Sequence, residues 1–203
     1  MKKTAFIETI KVTGGQFVNL PLHVERLMRS VREVYGVGIE PGLSEVRIPE
    51  VYRTGTVKCR VTYTDRVEQV DFEFYRPKQV HSLKVIDGVD IDYSRKYADR
   101  TGLIALSAQK GKCDEILIAC GGMVTDTSYS NIVLFDGETY VTPETCLLNG
   151  TKRRLLLEKG KIEERSVSVG DLKYYERLYL INAMLDIEDG IVVETGNIDV
   201  TGI

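Results

Sequence analysis

The spacing of apolar and polar positions predicts a β-hairpin and then a helix at the start of the chain. Residues 6–12 and 16–20 read as two strands, and Gly14-Gly15 between them can supply the positive φ angles of a tight turn. After Pro21, apolar residues recur every three or four positions, with charged residues between them. This spacing predicts an amphipathic helix that ends near Gly36.

The middle of the chain predicts two more strands and a second helix. Residues 56–64 and 66–75 are rich in β-branched and aromatic side chains and predict a pair of strands. From residue 94 to about residue 109 the pattern turns helical. In that helix Lys96 and Arg100 would lie one turn apart on the same face.

The second half of the chain predicts alternating strands and helices. Further strands are expected at 82–86, 114–120, 123–125, 131–135, 161–169, 177–183 and 190–193, and a short helix at 151–158. We therefore expect a two-domain α+β or α/β protein. Residues 1–82 would form a smaller α+β domain and residues 83–203 a larger mixed α/β domain, with a small-molecule cleft at their junction.

Composition and charge narrow the class of partner. The 203 residues carry a formal net charge of −3, which gives no reason to expect nucleic acid and favours a small-molecule ligand. The apolar runs are too short to span a bilayer, and polar residues from Glu8 onward interrupt any apolar segment of a signal peptide. The expected location is the cytoplasm, without membrane association.

The four cysteines and two histidines give little support for a metal site. The cysteines form no C-x-x-C pair, so reduced cysteines that contribute to packing are expected. No metal ligands are predicted.

Two polar stretches predict a ligand site. Residues 125–132 place a carboxylate, hydroxyls and an amide between two apolar strands, where unpartnered polar groups are costly. Residues 149–153 lead into the apolar helix predicted at 151–158, so backbone N–H groups and the positive helix end converge at Gly150, Thr151 and Lys152. That end could bind a phosphate, although Asn149 could instead simply cap the helix.

Several motifs, in this order, resemble the class IV aminotransferase family. They are Phe6-Ile7-Glu8-Thr9, His23-x-x-Arg26-Leu27, Lys96-x-x-x-Arg100, Thr125-Asp126-x-x-x-Ser130-Asn131-Ile132, Thr142-Pro143 and Leu148-Asn149-Gly150-Thr151-x-Arg153. The family includes branched-chain and D-amino-acid aminotransferases and 4-amino-4-deoxychorismate lyase, and the stretch from Asp114 to Arg153 looks closest to the lyase-like members. The resemblance implies the two-domain fold of D-amino-acid aminotransferase and pyridoxal 5'-phosphate as cofactor.

The resemblance also implies roles for individual residues. Lys96 would be the catalytic lysine that carries the cofactor as a Schiff base and moves a proton at the substrate's Cα. Asp126 would keep the pyridine nitrogen protonated. Arg26 would bind the cofactor phosphate together with the backbone N–H groups at Gly150, Thr151 and Lys152.

Ser130 and Asn131 are expected to support the cofactor ring and the Asp126 carboxylate, with a purely structural turn role as the alternative. Arg100 would support the site from its edge. Two features depart from the family pattern. Asp126 stands where glutamate is usual, and the chain begins close to the Phe6-Ile7-Glu8-Thr9 motif, which implies a shortened N-terminal domain.

The function implied is that of 4-amino-4-deoxychorismate lyase, which releases pyruvate and 4-aminobenzoate for folate synthesis. Branched-chain or D-amino-acid aminotransferase is the alternative, because both reactions use the same lysine and electron sink. A second alternative is a non-catalytic homologue that retains the fold. An amino compound would be the substrate, and a homodimer is expected.

Overall fold

The structure is a computed structural model that describes residues 3–88 and 91–202. The chain divides into two compact units. The first contains the described residues up to Arg76 together with Arg95–Asp99, and the second contains the rest. The first unit thus ends at Arg76 rather than at residue 82, and Arg95–Asp99 belong to it rather than to the later part of the chain.

The first unit is a four-stranded antiparallel sheet with one long helix. Its elements are β1 (Phe6–Thr13), β2 (Gln16–Phe17), α1 (Leu20–Tyr35), β3 (Thr56–Tyr63) and β4 (Val67–Phe74), with short 3-10 helices at Leu43–Glu45 and Glu50–Tyr52. The strand order is β2-β1-β3-β4. The predicted hairpin, helix and strand pair are all present in this unit.

Helix α1 forms where the apolar spacing predicts it. Pro21 lies in its first turn, where a missing N–H costs little, and Gly36 ends it at a φ of 68°, which glycine adopts readily. The apolar stripe of α1 buries Leu27 and Val31 in the same core cluster as Phe6 and Ile10 of β1. Its buried face also carries the polar residues His23, Arg26 and Ser30.

The helix predicted from residue 94 begins only at Thr101, so the prediction that Lys96 lies on a helix is wrong. Residues before Arg100 instead run alongside β1, where Tyr97 pairs with Phe6. Ile7 N–H donates to the Lys96 carbonyl at 2.9 Å, and Ala98 N–H donates to the Ala5 carbonyl at 2.8 Å. These backbone groups bond across to β1, so they do not form the i to i−4 bonds of a helix.

Among the described residues, the second unit contains two sheets and two α-helices. Its strands are β5 (Leu83–Asp87), β6 (Glu115–Cys120), β7 (Met123–Thr127), β8 (Asn131–Phe135), β9 (Tyr140–Pro143), β10 (Glu163–Arg165), β11 (Arg177–Ile181), β12 (Val192–Glu194) and β13 (Ile198–Asp199). Its helices are α2 (Thr101–Ser107) and α3 (Thr151–Glu158), with 3-10 helices at Ala108–Lys110, Val169–Tyr174, Ile187–Asp189 and Thr195–Asn197. The sheets have the orders β10-β9-β8-β11-β12 and β13-β5-β6-β7.

The topology of the second unit positions its polar residues. β7 ends one sheet and β8 lies within the other, and residues 128–130 join them. Asp126 lies on β7, Asn131 opens β8, and α3 follows β9. The strand predicted at 161–169 is shorter than expected, because pairing with β9 extends only over Glu163–Arg165.

Within residues 3–88 and 91–202, no helix is long and apolar enough to cross a bilayer.

Two isoleucines of the second unit test where its core lies. Ile116 on β6 is fully buried, whereas Ile104 on α2 is 66% exposed. We expect Ile116→Ala to lower the free energy of unfolding by about 2–5 kcal/mol through lost burial and a cavity. The matched Ile104→Ala should change it by less than about 0.5 kcal/mol. Urea unfolding would measure both, and equal losses would contradict the assigned core.

Candidate active site

The backbone at Lys96 is fixed by hydrogen bonds on both sides. Its carbonyl accepts from Ile7 on β1, and two residues later Ala98 donates back to Ala5. Because the segment is paired with a strand, the Lys96 side chain projects from an ordered backbone. Its positive charge contributes to lowering the pKa of His23, so both groups belong to the same polar region of the first unit.

A buried ion-pair cluster occupies that region. Glu8 is fully buried on β1, and Arg26 and His23 on α1 are 6% and 1% exposed. Arg26 Nε donates to Glu8 Oε1 at 2.8 Å, and Nη2 donates to Oε2 at 2.5 Å. His23 Nδ1 lies 2.7 Å from Glu8 Oε2. The two-pronged contact fixes the Arg26 guanidinium in one orientation.

Burial and charge act in opposite directions on Glu8. Burial alone raises the pKa of a carboxyl group, but the Arg26 guanidinium and the hydrogen bonds from His23 and Arg26 lower the pKa of Glu8 to about 2. Burial is the largest cause that lowers the pKa of His23, and the Glu8 carboxylate opposes it. Glu8 is therefore ionised and His23 neutral at pH 7, and Nδ1–H donates to the carboxylate.

Sequence reasoning gave no role to Glu8 or His23, although both lie in the motifs that carry the family resemblance. The available signal was the pattern of β1. Glu8 lies on the same face as Phe6 and Ile10, and all three are buried. A carboxylate among apolar positions of a strand requires a buried donor, and the histidine and arginine on the apolar face of α1 could have been matched to it.

In the second unit, Asp126 is a buried carboxylate held by N–H donors. It is 5% exposed. Its Oδ1 accepts from Asn131 Nδ2 at 2.8 Å, and its Oδ2 accepts from Leu148 N at 3.0 Å. Burial raises the pKa of Asp126 to about 6, although these donors and the charge of Arg153 oppose the rise. A cation facing this carboxylate would be stabilised by its charge.

Asn131 and Ser130 lie within this hydrogen-bond network. The Asn131 side-chain amide donates to Leu148 O at 2.7 Å as well as to Asp126. Ser130 Oγ accepts from Asn182 Nδ2 at 2.8 Å, and Ser130 N donates to Thr127 Oγ1 at 3.0 Å. Asn131 therefore bonds to the Asp126 carboxylate, and Ser130 bonds to Thr127 across the turn between β7 and β8.

Helix α3 begins directly after the loop that donates to Asp126. Its first intrahelical bond runs from Arg154 N to Gly150 O at 2.9 Å, so the preceding backbone N–H groups have no partner within the helix. Thr151 and Lys152 are 4% and 6% exposed. The Lys152 ammonium forms an ion pair with Asp186, which leaves its backbone N–H as the group that could bind an anion.

Comparison with known proteins identifies the family. The class IV amino-transferase family matches residues 95–188, a range that begins one residue before Lys96. An uncharacterized protein of Haemophilus influenzae is 37% identical over 180 residues, which cover 87% of this chain and 96% of that protein. A Haemophilus somnus 129pt protein, provisionally described as a 4-amino-4-deoxychorismate lyase, has a solved structure with a TM-score of 0.82. It is 34% identical, and the match covers 91% of this chain and 98% of that one. The chain belongs to the class IV aminotransferase family.

A second solved structure agrees in fold. A Mesorhizobium loti protein, provisionally described as an amino-acid aminotransferase, has a TM-score of 0.77 at 22% identity, and the match covers 97% of this chain and 99% of that one. The mixed α/β class IV fold predicted from sequence is confirmed. Class IV aminotransferases depend on pyridoxal phosphate. Membership of the family therefore confirms the predicted enzyme class, a pyridoxal-phosphate-dependent lyase or aminotransferase.

The residues of the second unit fit the chemistry of this cofactor. The buried Asp126 carboxylate, with its raised pKa, is a suitable partner for a cationic ring nitrogen. The N-terminus of α3 is a suitable partner for a phosphate. In the first unit Lys96 supplies an amine, and Arg26 supplies a guanidinium that already pairs with Glu8. The roles of the individual residues stay predictions.

The Glu8 cluster predicts a large effect of one isosteric change. Glu8→Gln removes the anion that compensates buried Arg26, so the free energy of unfolding at pH 7 should fall by about 3–5 kcal/mol. Urea unfolding would measure the loss. Glu73→Gln, which breaks the exposed pair with Lys58 in the same unit, is the control and should have a far smaller effect. Equal effects would mean that Glu8 does not compensate Arg26.

The same cluster predicts a specific acid sensitivity. Because the pKa of Glu8 is about 2 in the folded protein against an ordinary value of 4.5, its stabilisation is complete above about pH 4.5 and is lost as pH falls toward 2. The wild type should therefore lose stability over this window more steeply than Glu8→Gln. Thermal unfolding from pH 6 to pH 2.5 would compare the slopes, and parallel curves would contradict the assignment.

Proposed function

We propose that the chain is a pyridoxal-phosphate-dependent lyase that eliminates pyruvate from 4-amino-4-deoxychorismate and releases 4-aminobenzoate for folate synthesis. The observation that carries the cofactor part of the proposal is the buried Asp126 carboxylate, which bonds to Leu148 two residues before the N-cap of α3. One unit thus offers a partner for a cationic ring and a partner for a phosphate. The choice of the lyase reaction is supported by the 34% identity to the Haemophilus somnus protein.

Each proposed residue has a defined task. Lys96 Nζ would attach the cofactor covalently and, once released, accept a proton from the substrate's Cα, which requires a neutral amine. Asp126 would hold the proton on the ring nitrogen. The backbone at Gly150, Thr151 and Lys152, with Arg26, would bind the phosphate. When bound, the cofactor supplies an electron sink for the bond broken at Cα.

Amino transfer to a 2-oxo acid is the second candidate, favoured by the fold shared with the Mesorhizobium loti protein. Transfer and elimination use the same lysine and the same carboxylate. The two reactions diverge once the proton has been removed from Cα. Elimination requires a leaving group held in position, whereas transfer requires that Lys96 return the proton to the cofactor and that a second substrate bind.

The assembly and the location of the enzyme are further proposals. Most soluble oligomers are symmetric dimers, and we propose a homodimer that acts in the cytoplasm. Sedimentation of the purified protein would give its mass in solution.

An absorption spectrum tests the cofactor assignment. Wild type mixed with pyridoxal phosphate should develop a near-ultraviolet or visible band that borohydride reduction fixes to the protein, because the amine of Lys96 attaches the aldehyde. Lys96→Ala should lose both the band and the fixed label, whereas Lys112→Ala, at an exposed lysine, should keep them. A label that persists in Lys96→Ala would overturn the role of Lys96.

Product analysis separates the two reactions. With 4-amino-4-deoxychorismate, the lyase should release 4-aminobenzoate and pyruvate in equal amounts and without a 2-oxo acid. If the protein instead forms product only from an amino acid together with a 2-oxo acid, amino transfer is the function. Release of neither product from a protein that shows the cofactor band would exclude the proposed lyase activity.

A further inference from the structure

Asn131 lies between the two features on which the proposed cofactor site depends, the Asp126 carboxylate and the start of α3. It is the first residue of β8 and is 6% exposed. Its Nδ2 donates to Asp126 Oδ1 at 2.8 Å and to Leu148 O at 2.7 Å. An amide nitrogen carries two hydrogens, so these two acceptors account for both of them. The same acceptors fix which end of the amide is nitrogen, because an oxygen there would face two other oxygens.

The other end of the amide lies against Gly150. A Cβ added to Gly150 would lie 2.0 Å from Asn131 Oδ1, and the three nearest atoms to that position all belong to the Asn131 side chain. No pair of non-bonded atoms tolerates such a distance, so one of the two residues would have to move. Gly150 has φ −68° and ψ 146°, which any residue adopts, so the backbone conformation does not require glycine.

Asp126, Asn131 and Leu148 close a ring of hydrogen bonds. Leu148 N donates to Asp126 Oδ2 at 3.0 Å, while Asn131 donates both to Asp126 and to Leu148 O. The carboxylate and the loop that enters α3 are thereby held at one spacing, because a change at either end must break a bond to the same amide. Charge-assisted bonds to a buried carboxylate are among the stronger hydrogen bonds in proteins.

We infer that Asn131 is a positioning residue, which holds the ring-nitrogen partner Asp126 and the phosphate-binding start of α3 at a fixed spacing. Residue 150 is glycine because a side chain there would clash with the Asn131 amide. This inference rests on the proposed function. Asn131 then acts on the cofactor through Asp126 and the α3 loop. The lack of a side chain at Gly150 thereby serves packing against Asn131, while the Gly150 backbone keeps its proposed role in phosphate binding.

A double-mutant cycle tests the inference. The proteins are wild type, Asn131→Ala, Gly150→Ala and the double variant, each titrated with pyridoxal phosphate and with pyridoxal, which lacks the phosphate. The readout is the phosphate advantage, defined as the dissociation constant for pyridoxal divided by that for pyridoxal phosphate. A general loss of stability weakens the binding of both ligands and leaves this ratio unchanged, whereas a displacement of the phosphate-binding start of α3 lowers it.

We expect Asn131→Ala and Gly150→Ala each to lower the phosphate advantage by about tenfold, the effect of losing hydrogen bonds to a charged group. In the double variant the clashing amide is gone, so Gly150→Ala should add less than about twofold to the effect of Asn131→Ala. Asn197→Ala, at an exposed position of the same unit, should keep the wild-type ratio. If Asn131→Ala does not fold, Asn131→Ser takes its place in the cycle.

Two results would overturn the inference. Losses that multiply in the double variant would mean that the methyl group introduced by Gly150→Ala acts on the phosphate directly and not through Asn131. A wild-type phosphate advantage in Asn131→Ala would mean that Asn131 serves Asp126 alone. Failure of the cofactor assignment has a different signature, since the wild type itself would then develop no band with either compound, and failure of the lyase reaction alone would leave the phosphate advantage unchanged.

Discussion

The structure depends on how each unit compensates a carboxylate that has been removed from water. Glu8 and Asp126 are both almost completely buried, yet their pKa values move in opposite directions, to about 2 and to about 6. The pKa values differ because the two carboxylates have different hydrogen-bond partners. Glu8 faces a guanidinium that bonds to both of its oxygens, whereas Asp126 is held mainly by neutral N–H groups, and the charge of Arg153 makes a smaller contribution. The first carboxylate is balanced by its own unit, and the second is only partly balanced.

This contrast matters for the proposed binding of a cofactor with an anionic phosphate and a cationic ring. Arg26 is already neutralised by Glu8, so its guanidinium has little net charge to offer a further anion. The start of α3 supplies backbone N–H groups and the positive end of a helix without a carboxylate among its first residues. We therefore propose that the start of α3 contributes most of the phosphate affinity. Asp126 would supply the charge that favours the ring.

Much of the fold could be predicted because local patterns and tertiary contacts agree. The strands predicted at 56–64 and 66–75 occur as Thr56–Tyr63 and Val67–Phe74, since β propensity favours both and burial alternates along the first. The segment around Lys96 could not be predicted, because its helical spacing is overridden by backbone bonds to β1, a strand nearly ninety positions earlier. The same holds for the site. Polar residues in apolar surroundings indicated Asp126, but only the structure shows that one amide, Asn131, contacts both Asp126 and Gly150.

The assignment of Arg95–Asp99 to the first unit has a consequence for biosynthesis. The chain leaves the first unit after Arg76, returns at Arg95 and leaves again after Asp99. Domains generally fold as units while the chain emerges from the ribosome. Here the edge of β1 near Phe6 remains without its partner until Tyr97 has emerged, and β5 of the second unit emerges before it. The first unit thus acquires its last backbone partner, and with it the ordered backbone at Lys96, only after synthesis of the second unit has begun.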